Sequence, residues 1–155
     1  MLAITDGIIF HQANCTRGTL KGLAANIARN YPWSVEPTRL KALNNLEKYL
    51  SDPFTPGTYY HAQKGKLGVV SLSGQYVVGK PYHKNKEDYK KRMTWFETAL
   101  TSFIDDQKEK NQLKLYFPYQ IGCGLAGGDW EKYYALLNKI QEKYPNVKMT
   151  ILKHV

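Results

Sequence analysis

The chain has 155 residues, enough for one domain with a sizeable hydrophobic core, and its 43% hydrophobic and 23% charged residues exclude a disordered protein. No run approaches the roughly 20 apolar residues of a membrane-spanning helix, and the first residues lack the basic start and cleavage site of a secretory signal. We therefore expect a single domain over residues 1–155, located in the cytoplasm, with no membrane partner.

The net charge of +9 favours anionic partners such as nucleotides or phosphorylated metabolites, although a generally lysine-rich surface would explain it equally well. The densest basic segment, residues 80–92, also contains acidic residues and is more typical of a loop and a helix start than of a nucleic-acid-binding arm. A nucleic-acid partner is therefore disfavoured. The two cysteines and four histidines show no metal-binding spacing. We predict no metal and no cofactor.

The first predicted elements are a strand and two helices. Residues 7–13 form an apolar, β-branched run typical of a buried strand. A helix follows, ended by Pro32, because apolar residues recur at the spacing of one helical face. These residues are Leu20, Leu23, Ala24, Ile27, Ala28 and Tyr31. A second helix is predicted over residues 38–50.

The rest of the chain alternates strands with helices. Two strands, at residues 58–61 and 67–72, are joined by a short turn, and a long helix follows. That helix carries an apolar stripe of Tyr89, Met93, Phe96, Leu100, Phe103 and Ile104. A strand at 113–117, a helix at 129–143 and a strand at 147–152 complete the chain. This alternation predicts an α/β fold with a mostly parallel sheet, in which ligands bind at the carboxyl ends of the strands.

Two glycine-bearing loops leave such strand ends. The first loop is residues 14–22, and the second loop is residues 119–128. The second contains the pattern G-x-G-x-x-G at Gly122, Gly124 and Gly127, but it lies at the last strand-to-helix turn and lacks the Lys-Ser/Thr of a P-loop. Neither standard nucleotide motif therefore fits.

The glycines of the second loop still allow backbone N–H groups to approach an anion, and the following helix adds its positive N-terminal end. Asp129 is predicted to cap that helix. The second loop is thus either a backbone cradle for phosphate or a tight turn without a ligand. Two such loops on one sheet would grip both ends of a diphosphate-containing ligand.

Four segments in order resemble a macrodomain of the small branch that processes ADP-ribose-1''-phosphate, common in phages and bacteria. The first loop, HQANC followed by GLA, resembles the family pattern H-Q-x-N-C…G-x-A. VSLSGQ at residues 70–75 resembles a family strand end, and RMTWFETAL at residues 92–100 resembles a family helix. The most specific segment is FPYQIGCGLAGGDW at residues 117–130.

The resemblance implies a three-layer α/β/α sandwich, with a mixed, mostly parallel sheet, that binds ADP-ribose or ADP-ribose-1''-phosphate. By position Asn14 would hold the distal ribose, and Gln75 lies at the matching strand end. The diphosphate and that ribose would contact Thr19, Leu20, Lys21 and Gly22 of the first loop. The second loop would cover the diphosphate through the N–H groups of Gln120, Ile121, Gly122, Cys123, Gly124, Leu125 and Ala126.

Some positions depart from the family. Macrodomains carry an additional strand and a Gly-Asp motif, whose Asp binds adenine, before the first-loop strand. Here that strand is reached after six residues and Asp6 is a poor match, so we expect a shortened N-terminal strand. Leu20 stands where the family has glycine and would narrow the pocket, whereas Lys21 adds a cation suited to an extra phosphate.

His11 is the candidate catalytic residue, because the phosphatase branch has a histidine at this position and imidazole titrates near neutral pH. A core histidine is the equal alternative, since strand alternation places Ile9 and His11 opposite Phe10 and Gln12. The related ADP-ribosyl hydrolase branch is disfavoured, because Ala126 replaces its Asp. The sequence leaves open a phosphatase or a non-catalytic ADP-ribose-binding module, and it does not indicate an oligomeric state.

Cys15 and Cys123 fall on the two opposing loops. A catalytic thiolate would need a neighbouring base or cation to lower its pKa. We interpret both cysteines instead as small packing residues.

Overall fold

The computed structural model describes residues 4–15, 22–37, 39, 54–77, 79–81, 87–109, 112–124 and 126–153. In chain order the elements are β1 (Gly7–Asn14), α1 (Gly22–Asn30), a 3-10 turn (Pro32–Ser34), β2 (Tyr59–Lys64), β3 (Leu67–Gln75), α2 (Tyr89–Asp106), β4 (Lys114–Pro118), α3 (Trp130–Lys143) and β5 (Lys148–Leu152). The helix predicted over residues 38–50 lies, except for residue 39, outside the described residues.

The five strands form one sheet in the order β2-β3-β1-β4-β5. β1 runs parallel to both β3 and β4, and β4 runs parallel to β5, whereas β2 is antiparallel to β3. The predicted mixed, mostly parallel sheet is therefore confirmed. Because β1, β3 and β4 point the same way, their carboxyl ends lie at one edge of the sheet, which we call the carboxyl edge.

Helices cover both faces of the sheet, as residue alternation along β1 requires. Ile9 packs with Ile27 of α1 and Val69 of β3 on one face. Phe10 points to the other face, where its ring stacks on Phe117 with centroids 4.7 Å apart. The larger core on that face is formed with α2 and α3 and includes Val70, Leu72, Phe96, Leu100, Phe103, Leu115, Leu137 and Ile140. The three-layer α/β/α arrangement follows from these two apolar faces.

Helix ends follow local capping chemistry. The Asp129 side chain accepts a hydrogen bond from the Glu131 N–H over 3.0 Å, so the predicted cap of α3 is confirmed. Asp88 caps α2 in the same way through the Lys91 N–H. Tyr89, predicted on the buried stripe of α2, is 43% exposed because it is the first residue of the helix.

The segment before β1 is irregular where it is described. Residues 4–6 are not in a strand, and residues 1–3 lie outside the described residues. The Asp6 carboxylate lies 3.2 Å from the Lys114 ammonium at the start of β4, at the edge opposite the carboxyl edge. None of the described helices is long and apolar enough to cross a membrane.

Candidate functional site

The ends of β1 and β3 meet at the carboxyl edge. A register shift after Gln12 brings Asn14 opposite Gln75, and both residues are buried. The Asn14 carbonyl accepts a hydrogen bond of 2.7 Å from the Arg39 guanidinium, which lies over the Phe54 ring. Arg39 thus fixes the point where the first loop leaves the sheet.

The Gln75 side chain is fully engaged within the protein. Its Oε1 accepts a hydrogen bond from Gln12 Nε2 over 2.7 Å, and its Nε2 donates to the Val77 carbonyl over 2.8 Å. These bonds join β1 to the chain that follows β3. Gln75 therefore holds the end of β1 and the segment after β3 together at the carboxyl edge.

Backbone turns shape the second loop. Gln120, Gly122 and Gly127 have φ angles of +62°, +76° and +75°, a region that favours glycine. Four N–H groups donate within the loop or to the end of β4. They are those of Ile121 to the Pro118 carbonyl, Cys123 to Gln120, Gly127 to Gly124 and Gly128 to Gly122, over 2.9–3.1 Å.

Three further N–H groups of the second loop are not used in hydrogen bonds within the described part of the chain. Among the described residues, the N–H groups of Gly122, Gly124 and Ala126 have no hydrogen-bond acceptor. Gly124 is exposed and the other two are partly exposed. They precede α3 in the chain, and the positive partial charge of its N-terminus is partly offset by the capping Asp129 carboxylate. This arrangement matches the requirements of an anion-binding site.

Close packing also requires glycine in this loop. A Cβ at Gly122 would lie 3.0 Å from the Tyr133 ring and 3.1 Å from Gln12 Oε1. A Cβ at Gly128 would lie 2.6 Å from the Gly122 carbonyl oxygen. By contrast, a Cβ at Gly124 would meet nothing within 4 Å among the described residues. The space that a side chain at Gly124 would occupy is therefore open among the described residues.

Ile121 is fully buried, whereas Cys123 is partly buried. Ile121 is fully buried in the larger core, and its N–H is used within the loop, so it anchors the loop rather than presenting a group to a ligand. Burial raises the pKa of Cys123 to about 11 and that of Cys15 to about 12. A nucleophilic thiol needs a lowered pKa, so these raised values favour the interpretation of both cysteines as packing residues.

His11 lies on the α1 face of the sheet. Its ring is buried, and Nε2 is 2.7 Å from the Ser71 hydroxyl. The ring borders a cavity of about 10 Å³, room for about one water, shared with Ala24, Ser34 and Arg39. Burial, with a smaller effect of the Arg39 charge, lowers the pKa of His11 to about 4. The imidazole is therefore neutral at pH 7.

Only part of the first loop lies within the described residues. Gly22, at the start of α1, is exposed with a φ of +57°, again a conformation that favours glycine. Thr19, Leu20 and Lys21 lie outside the described residues, as does Leu125 of the second loop. Gln120, also of the second loop, is exposed.

A buried ion pair beside the second loop was not predicted from the sequence. Arg92 Nε lies 2.5 Å from Glu87 Oε1, and the two side chains are 1% and 0% exposed. In the sequence they appear only as members of a mixed-charge segment, and no periodic pattern marks them as partners. Within the described part of the chain, no group of three or more His, Cys, Asp or Glu residues is arranged to hold a metal.

No protein-family profile matches the chain, and no curated protein does. Solved structures do match. The macrodomain of Mycobacterium tuberculosis DarG superposes with a TM-score of 0.69 at 18% identity, covering 99% of this chain and 93% of that one. A Streptomyces coelicolor macrodomain protein gives 0.65 at 22% identity, covering 99% and 92%. The macrodomain of Thermus aquaticus DarG gives 0.64 at 16% identity, covering 99% and 93%. The chain therefore has the macrodomain fold.

Proposed function

We propose that this chain binds ADP-ribose, or a phosphorylated derivative of it, at the carboxyl edge of the sheet. The observation that carries the proposal is that the N–H groups of Gly122, Gly124 and Ala126, in the loop that leads into α3, have no acceptor among the described residues. Such a loop suits a diphosphate, because it offers several donors and a positive partial charge without a bound metal. Asn14 lies at the neighbouring end of β1, and in this proposal it would bind the ribose that follows the diphosphate.

Two further observations support this ligand class. The net charge of +9 attracts a polyanion. The sequence segments that resemble ADP-ribose-binding macrodomains also include those that form the carboxyl edge, namely the ends of β1 and β3 and the second loop.

Hydrolysis of the terminal phosphate of ADP-ribose-1''-phosphate is the finer proposal, with His11 as the acid–base group. A general acid or base works best with a pKa near the working pH and within hydrogen-bond reach of the reacting atoms. Burial under α1, the bond to Ser71 and a pKa near 4 all count against His11 in that role. The geometry of His11 therefore favours ADP-ribose binding without phosphate hydrolysis by His11.

Calorimetric titration with ADP-ribose and ADP-ribose-1''-phosphate, with released phosphate assayed in the same samples, tests both proposals. We expect micromolar binding without phosphate release. Phosphate release that is lost in His11→Ala, with binding retained, would establish the phosphatase instead. Absence of binding to either compound would contradict the proposed function.

A steric variant locates the site. Gly124→Phe places a ring in the open space before the second loop, where no described atom opposes it. We expect it to weaken ADP-ribose binding at least about tenfold, a change equivalent to 1.4 kcal/mol. Gly65→Phe is the matched control, because Gly65 also has open surroundings but lies in the β2–β3 turn at the opposite edge. Equal binding by both variants would show that the ligand does not bind at the second loop.

A further inference from the structure

The Glu87 carboxylate fills an anion position at the end of β3. Its side chain is fully buried. Oε1 accepts a hydrogen bond from the Tyr76 N–H over 3.0 Å, and Oε2 accepts one from the Val77 N–H over 3.2 Å. An internal carboxylate therefore binds two backbone N–H groups at the carboxyl edge that would otherwise be suited to a ligand anion.

The Arg92 guanidinium extends this contact to two separate segments. Besides Glu87, it donates to the Gly79 carbonyl over 2.6 Å and to the Val77 carbonyl over 3.2 Å, both in the chain that follows β3. Its Nη1 also donates to the Ala126 carbonyl over 3.3 Å. Ala126 belongs to the second loop, so a single planar group bridges the segment after β3 and the segment after β4.

A buried ion pair is a poor source of stability, because desolvation of the two charges offsets most of their attraction. Its value lies in geometry: a guanidinium offers five donors in a rigid fork, and lysine cannot reproduce that fork. Here the donors of that fork reach Glu87 and the backbone of the two segments. The pair is therefore suited to fixing one segment against the other.

We propose that Glu87 and Arg92 are positioning residues, which hold the second loop against the chain following β3 and so set the orientation of the Gly122, Gly124 and Ala126 N–H groups. This rests on the proposed function, in which those N–H groups bind the diphosphate of ADP-ribose. Because their side chains are 1% and 0% exposed, neither residue would contact the ligand. Their effect on affinity is transmitted through the Ala126 carbonyl.

Hydrogen exchange of the free protein, combined with ADP-ribose titration, tests the proposal in Arg92→Lys. This variant keeps the charge and removes the fork. We expect exchange at the Gly127 and Gly128 N–H groups, which donate within the second loop, to rise roughly 2- to 30-fold beyond any global loss of stability. We expect ADP-ribose affinity to decrease by a factor in the same range. Glu87→Gln keeps the size of the side chain and one acceptor oxygen. We expect it to show the same faster loop exchange and weaker ADP-ribose binding.

Phe103→Leu is the matched control, because it weakens the buried core around the far half of α2 without touching the second loop. Loop exchange in Arg92→Lys and Glu87→Gln that equals exchange in Phe103→Leu at the same global stability would overturn the proposal. If the wild-type protein did not bind ADP-ribose, the proposed function would fail, yet the exchange data would still decide whether the pair couples the two segments.

Chemical rescue adds an independent test of the carboxylate. Glu87→Ala leaves the Tyr76 and Val77 N–H groups and the Arg92 guanidinium without their anion. We expect acetate to slow loop exchange in this variant and to leave the wild-type protein unchanged. An equal effect of acetate on both proteins would overturn the role given to Glu87.

Discussion

Gln12 Nε2 donates a hydrogen bond of 2.7 Å to Gln75 Oε1, which joins two neighbouring parallel strands by their side chains at the carboxyl edge. The Gln12 amide also lies beneath the second loop, because its Oε1 would be 3.1 Å from a Cβ at Gly122. That oxygen is buried and accepts no hydrogen bond from the described residues. The strands and the second loop are thus packed as one unit.

This side-chain bond leads to a prediction about stability. Gln75→Leu would leave the buried Gln12 amide without its remaining partner, and we expect a loss of about 1–3 kcal/mol in the free energy of unfolding. The double variant Gln12→Leu/Gln75→Leu removes both polar groups and should lose less than the sum of the two single variants. Urea unfolding of the four proteins measures the coupling. Strictly additive losses would show that the bond contributes nothing specific.

Gly122 provides a second prediction. Gly122→Ala forces a Cβ into a residue with a φ of +76° and against the Tyr133 ring. Gly65→Ala has a similar φ of +62°, and its Cβ would meet no described atom within 4 Å. The unfavourable φ alone costs about 1–2 kcal/mol. We expect Gly65→Ala to show only that loss, and Gly122→Ala to lose more stability and also ADP-ribose affinity. Thermal unfolding and titration of both variants separate backbone strain from steric contact.

Much of the fold could be predicted because its determinants are local or periodic. The β-branched run before Asn14 predicted β1, and the apolar spacing predicted α1 and α2. The Asp129 cap predicted the start of α3. The mostly parallel sheet followed from the alternation of strands and helices, which favours parallel neighbours joined through helices. The order of the strands within the sheet, β2-β3-β1-β4-β5, was not predicted. The apolar pattern predicted β3 only to residue 72, because polar residues follow, whereas the family resemblance placed the strand end at Gln75, where the structure has it.

The interior of the site could not be predicted, because it depends on contacts between residues far apart in sequence. Gln12 and Gln75 are 63 residues apart, and Arg92 and Ala126 are 34 apart. No spacing rule marks such pairs. Glu87 and Arg92 are near each other but appeared as surface charges, since only the folded chain shows that the Tyr76 and Val77 N–H groups surround the carboxylate.

The two thiols give a third prediction. Because burial raises the pKa of Cys123 to about 11 and that of Cys15 to about 12, little thiolate exists near neutral pH. We expect iodoacetamide to modify Cys123 slowly and the fully buried Cys15 only after unfolding, as mass spectrometry would measure. Cys123→Ser should retain ADP-ribose binding. Rapid alkylation at pH 7 would instead indicate an activated thiol.

His11 gives the last prediction, which concerns pH. In the unfolded chain its pKa is near the ordinary value of 6.5, whereas in the folded protein it is about 4. Between these values the unfolded state binds more protons, so the stability contributed by neutral His11 is fully present above pH 6.5 and is lost as the pH falls toward 4. The loss amounts to roughly 3 kcal/mol. Because carboxylates titrate in the same range, the comparison is with His11→Gln, which should lack this part of the acid dependence. Urea unfolding of both proteins at a series of pH values measures the difference, and parallel curves would mean that the folded protein accommodates the charged imidazole.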